Sequence, residues 1–148
     1  MKQKMIYAAI ALCAILFMTA CDDEIEVQRA YDFRVFTLPV PKRIKMGETV
    51  EIRCRIETSG EWEQAQYFLR YFQPDGKGDL RSIEGVTFKP NDRYELFDKD
   101  FRLYYSSHSE DQQTLDLYFL DGFDRCVTLS FTFNNDTKDE EILNRLQL

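Results

Sequence analysis

Apolar positions divide the chain into three regimes: an uncharged run from Met5 to Ala20, alternating segments from about Tyr31 to Phe133, and a polar tail. Alternation is clearest from Thr49 to Glu57. There Val50, Ile52, Cys54 and Ile56 share one face and Glu51, Arg53, Arg55 and Glu57 the other, the period of a half-buried strand. Tyr31 to Leu38 alternates in part, with Phe33, Val35 and Thr37 on one side. It stops at Pro39-Val40-Pro41, whose prolines cannot donate to a ladder and place the strand at an edge. Gln64 to Gln73 has Tyr67, Leu69 and Tyr71 on one face but Phe68, Arg70 and Phe72 on the other, so both sides carry aromatic rings. Lys99 to Tyr105, Thr114 to Asp121 and Arg125 to Phe133 follow, with Phe101/Leu103/Tyr105, Leu115/Leu117/Phe119 and Val127/Leu129/Phe131/Phe133 predicted to face inward. Leu80 to Phe88 is irregular and reads as one weak strand.

Turn chemistry punctuates these runs: Lys45-Met46-Gly47-Glu48, Ser59-Gly60, Pro74-Asp75-Gly76-Lys77-Gly78 and Lys89-Pro90-Asn91-Asp92, with Asp121-Gly122-Phe123-Asp124 joining the last two strands as a hairpin. About seven short strands with no long helical period between them predict an all-β, immunoglobulin-like antiparallel sandwich over 30–135, with a small open barrel as the alternative. In the tail, 136–148, Thr137 followed three residues later by Glu140 forms a capping box, and Lys138 to Leu146 is predicted as a short helix.

The N-terminal regime reads as an address. Lys2 and Lys4, then a 16-residue apolar run, then Thr19-Ala20, have the layout of a secretory signal, and the run is short for a membrane-spanning helix. Cys21 directly after the small pair resembles the lipobox of bacterial lipoproteins, with Met18 where that motif usually has Leu. The resemblance implies acylation of Cys21, cleavage after residue 20, and a flexible acidic tether over 21–29. Asp22-Asp23-Glu24 also resembles the surface-export signal of Bacteroidetes lipoproteins. An uncleaved span and a soluble export signal are the competing readings.

Charge narrows the partners. Loss of residues 1–20 removes two lysines and no acid, taking the formal charge from −7 to −9. Such a surface lacks the basic stripe that displaces counterions from a phosphate backbone, so nucleic acid is not expected as a ligand.

Four stretches in order, Leu38-Pro39-Val40-Pro41-Lys42, Gly47 to Cys54, Arg70 to Gly78 and Phe101-Arg102-Leu103-Tyr104-Tyr105, resemble the TraQ family of Bacteroidetes conjugative transposons. The run Tyr71-Phe72-Gln73-Pro74-Asp75-Gly76-Lys77-Gly78 is the most specific of them. The resemblance covers about Glu24 to Asn135 and implies an exported lipoprotein encoded with a mating apparatus, an immunoglobulin-like sandwich and no known catalytic residues. Cys126 and the tail lie outside the matched stretches.

Candidate chemistry is sparse. Cys54 and Cys126, with Trp62 between them, invite comparison with the immunoglobulin Cys-Trp-Cys pattern, but Cys54 is in phase with the core side and Cys126 is out of phase, which favours two free thiols. His108, the only histidine, sits in a serine-rich loop with no nucleophile elbow or ligand pair. Asp75 with Asp79, and Asp121 with Asp124, lack the ligand spacing of a calcium loop and read as turns, so no metal or cofactor is expected. The chain is therefore expected to be no enzyme; a small hydrolase would need two carboxylates to meet in space. The leading expectation is a non-catalytic protein-interaction module of the conjugation apparatus, lipid-anchored in the envelope at the outer membrane. Its candidate surface is Phe68, Arg70, Phe72, Pro74, Asp75 and Gly76. The alternative is a surface glycan-binding lipoprotein stacking sugars on Trp62, Tyr104 or Tyr118.

Overall fold

A computed structural model describes residues 30–135 together with 145 and 146. The expected signal segment, Cys21, the expected tether and most of the tail lie outside the described residues. Nine strands form: β1 (Phe33–Thr37), β2 (Arg43–Ile44), β3 (Thr49–Thr58), β4 (Tyr67–Asp75), β5 (Gly78–Ser82), β6 (Tyr94–Leu96), β7 (Asp100–Ser107), β8 (Gln113–Asp121) and β9 (Cys126–Asn135). They make a four-stranded sheet in the order β1-β3-β7-β5 and a five-stranded sheet in the order β2-β9-β8-β4-β6. These orders reproduce the two sheets of the immunoglobulin sandwich, and the open barrel is set aside. All pairs are antiparallel except β2 with β9.

Every expected strand forms. The weak segment resolves into β5, which ends at Ser82 rather than running to Phe88, and β2 and β6 are additional. Only β8 and β9 are consecutive neighbours in one sheet; every other connection crosses between the sheets. The hairpin between them is held by Asp121, whose buried carboxylate accepts from the amides of Phe123 and Arg125 at 2.9 Å and from Arg125 Nε at 2.7 Å. Arg125 also reaches Asp32 at 2.8 Å and the Tyr31 carbonyl, which fastens the start of the domain to this end of the sandwich.

The core lies between the sheets, with Ile52, Leu80 and Leu103 on one side and Leu69, Leu115, Leu117 and Phe119 on the other, all essentially buried. Each such side chain contributes about 1.5–3 kcal/mol by leaving water. At β9 the inward residues Val127, Leu129 and Phe131 are only half-buried, because β2 pairs with β9 only at Asn134 and Asn135.

The crossing from β4 to β5 accounts for the specific turn motif. Only Gly76 and Lys77 separate a strand of one sheet from a strand of the other. The β4–β8 register shifts between Phe72 and Asp75, which turns the chain toward the opposite sheet. Gly76 has φ 75°, and a Cβ there would meet Gln113 Cγ at 2.4 Å; one on Gly78 would meet the Ser106 carbonyl and the Tyr105 hydroxyl at 2.5 Å. Beneath the crossing lies a polar network inside the core. Tyr105 Oη donates to Gln113 Oε1 at 2.7 Å and accepts from Gln73 Nε2 at 2.6 Å, and Gln113 Nε2 donates to Ser107 Oγ at 2.7 Å. Its aromatic ring stacks on Phe133, with centroids 5.5 Å apart.

Candidate functional site

Because β4 is the second strand from the edge, its outward side chains face solvent across a three-strand surface. Register places Phe68 between Glu95 of β6 and Leu120 of β8, Arg70 beside Tyr118, and Phe72 beside Asp116. Tyr118 in turn neighbours Thr128, and Asp116 neighbours Ser130. The result is a face whose aromatic centre is bordered by the charged side chains of Glu95, Arg70 and Asp116.

The candidate residues differ in availability. Phe72 is 38% exposed and meets Tyr118 edge-on at 5.6 Å. Phe68 is half-covered, since the Arg93 guanidinium sits 3.7 Å above its ring and is held there by Asp124 at 3.1 Å. That cation–π contact leaves the ring edge, not its face, toward solvent. Arg70 is committed to Asn91, donating to its carbonyl oxygen at 3.2 Å and also to Oδ1. Asn91 is itself pinned by its amide to the Tyr71 carbonyl at 2.9 Å, in a left-handed conformation (φ 67°). Pro74, Asp75 and Gly76 are exposed at the end of the face, and Gly76 also lies against Gln113 and serves the crossing. The structure therefore brings Phe68, Arg70, Phe72, Pro74, Asp75 and Gly76 to one face.

The other candidates separate. Tyr104 is on the outer face of the four-stranded sheet, where its hydroxyl reaches Glu51 Oε1 at 3.3 Å, beside Arg102 at 3.1 Å. A hydrogen bond from Arg53 is the largest influence holding the Glu51 carboxyl below its usual range, with the charges of Arg53 and Arg102 adding to it. Trp62 packs near Phe123, with centroids 6.0 Å apart, at the β8–β9 end. With Tyr118 on the opposite sheet, the three rings form no common platform for a sugar. His108 pairs with Asp79 at 3.0 Å on the surface. Among the described residues no three His, Cys, Asp or Glu side chains converge on a metal position.

Both cysteines in the described residues are free thiols, as their phase implies. Cys54 is buried on β3 and Cys126 is exposed on β9, in different sheets. Burial pushes the Cys54 thiol up to about 12. Sequence reasoning missed Arg93 as the cover of Phe68, and missed Ile83, Val86 and Phe97, exposed apolar side chains in segments with no period.

Fold and face together define the class: an immunoglobulin-like β-sandwich that presents an aromatic sheet surface. The chain belongs to the family of the TraQ conjugal transfer protein, whose family model matches residues 4–136. Among solved structures it is similar to a conjugative transposon lipoprotein from Bacteroides eggerthii at 40% identity (TM-score 0.67), covering 72% of this chain and all of that one. A lipoprotein from Bacteroides thetaiotaomicron is 50% identical (TM-score 0.67), with 82% of this chain and 93% of that one covered. A conjugate transposon protein from Bacteroides vulgatus is 48% identical (TM-score 0.65), with 76% and 91% covered. No curated protein matches the chain.

Proposed function

We propose that this protein is a lipid-tethered envelope component of a conjugation system, acting as a non-catalytic module that docks another protein of the apparatus through the outer face of β4 and β8. Family membership supports the setting, and similar structures that are named lipoproteins support the tether. Cys21, placed after Thr19-Ala20, supplies the acylation site in this reading, with the outer membrane as the place of attachment. The observation that carries the docking surface is the Phe72–Tyr118 pair: two aromatic rings in edge contact on the outer face of the sheet, with Arg70, Asp116, Thr128 and Ser130 around them. Aromatic residues and arginine are enriched at protein interfaces relative to the rest of the surface.

The test is a double substitution, Phe72→Ser with Tyr118→Ser, in donor cells. Both side chains lie on the outside of the sheet, so the variant should accumulate normally and melt cooperatively while transfer frequency falls. Unchanged transfer at unchanged protein level would remove this face from the account.

A further inference from the structure

Three apolar side chains that face solvent lie together at the side edge of the sandwich opposite β1 and β2, apart from a second group, Phe36, Leu38 and Met46, on and beside those two strands. Phe97, directly after β6, is 88% exposed, and Ile83 and Val86, in the loop after β5, are each more than half exposed. With Phe88, Leu96 and Phe101 they line a groove of about 410 Å³ between β5 and β6, the end strands of the two sheets. A second groove of about 340 Å³, running toward Trp62, shares Leu96, Phe97 and Asp98 with the first. Phe97 thus stands on the ridge between two concavities.

The two strand edges beside this ridge differ. β5 is closed by its own chain, because the Phe88 amide donates to the Leu80 carbonyl at 2.8 Å and the Ser82 amide to the Val86 carbonyl at 2.9 Å. β6 pairs with β4 on one side and, among the described residues, has no strand on the other. An uncovered edge is a row of amides and carbonyls ready for another strand.

Charge selects what that strand carries. Glu84, Glu95 and Asp98 border the first groove, and Glu61 and Glu63 border the second with Asp98. The two basic residues on the same rims are engaged elsewhere: Arg102 with Glu51 at 3.1 Å and Lys99 Nζ with Thr58 Oγ1 at 3.3 Å. The rim is therefore net acidic around an apolar floor, which repels a second copy of the same edge and an anionic lipid surface and attracts cations.

From edge, groove and rim together, we infer that β6 and the ridge at Phe97 bind an extended segment of a partner protein with alternating apolar and basic side chains, added as a further strand of the five-stranded sheet. Alternation is required because successive side chains of an added strand point to opposite faces, one set into the groove and the other toward the acids. This surface is separate from the Phe72–Tyr118 face, so the two readings stand or fall independently.

The experiment is an NMR titration of the ¹⁵N-labelled chain from residue 21 onward, with Cys21→Ser to keep it unacylated. The probe is a synthetic peptide alternating valine and lysine; the controls replace lysine by glutamate, or alternate valines by proline. Binding of the lysine peptide should move the amides of residues 94–98, 83 and 86, weaken with salt, and fall about tenfold in Phe97→Ser. Phe97 is too exposed for its loss to unfold the chain. Equal binding by the glutamate peptide, shifts centred on Phe72, indifference to Phe97→Ser, or no binding would each overturn the inference. So would a concentration-dependent dimer abolished by the same substitution, which would make a second copy the occupant.

Discussion

Substituting Tyr105 by Phe isolates the polar network under the β4–β5 crossing, because the ring and its stack on Phe133 are retained while one hydroxyl is lost. Two hydrogen bonds go with it, the donation to Gln113 Oε1 at 2.7 Å and the acceptance from Gln73 Nε2 at 2.6 Å. Gln113 is fully buried, so its carbonyl oxygen is left without that donor, at a cost of roughly 1–3 kcal/mol. Gln73 is half-buried and can turn its amide to water, adding little. We expect about 2 kcal/mol, read in urea unfolding as a midpoint lowered by about 1 M at unchanged slope. A pH arm checks the cause. Burial, the largest influence, pushes Tyr105 up to about 12, from an ordinary value near 10. The folded state holds this proton more tightly than the unfolded chain. Its contribution is therefore fully present below about pH 10 and is lost as pH rises through about 12, up to about 2.7 kcal/mol from this group. Tyr67 and Tyr71, also raised chiefly by burial, add to the alkaline loss in both proteins, so the difference between wild type and Tyr105→Phe is the measured quantity. A midpoint unchanged by the substitution would refute the network as a source of stability, and identical alkaline slopes in the two proteins would refute the burial of the Tyr105 phenol.

Three further outcomes are expected. Gly78→Ala should cost about 1–3 kcal/mol in unfolding experiments, because the new Cβ meets a backbone carbonyl, whereas Gly122→Ala, with open space around it, should stay within about 0.5 kcal/mol. In the chain from residue 21 onward bearing Cys21→Ser, a thiol reagent should label Cys126 at once and Cys54 only on unfolding; prompt labelling of both would contradict the burial of Cys54. Intact mass of the protein extracted from donor-cell membranes should fit a polypeptide beginning at an acylated Cys21, and an unmodified thiol there would end the tethering proposal.

The sandwich was legible where one strand face is buried and the other wet. Val50, Ile52, Cys54 and Ile56 alternate with charged residues because β3 lies under that constraint along its whole length, and β8 shows the same logic with Leu115, Leu117 and Phe119. β2 and β6 were not legible, since two or three residues cannot display a period and prolines lie shortly before both segments. The phase of Phe68 and Phe72 was readable from Gln64 to Gln73, but their unequal exposure was not. It depends on Arg93, which lies far along the chain and reaches the ring through the fold. The turn motif looked like a surface feature because Pro, Asp and Gly suit turns. Its glycines in fact answer to Gln113, Tyr105 and Ser106, contacts visible only in three dimensions. For the same reason Phe97 passed unnoticed, since an apolar residue between irregular segments reads as incidental until its exposure is known.

Site-specific photo-crosslinking in mating donor cells tests the central claim most directly, with the photoreactive residue placed at position 72 on the proposed face and at position 104 on the outer face of the other sheet. The account predicts a discrete crosslinked product from position 72 that contains a protein of the conjugation apparatus, and none of that product from position 104. The same product from both positions, or from neither, would contradict it.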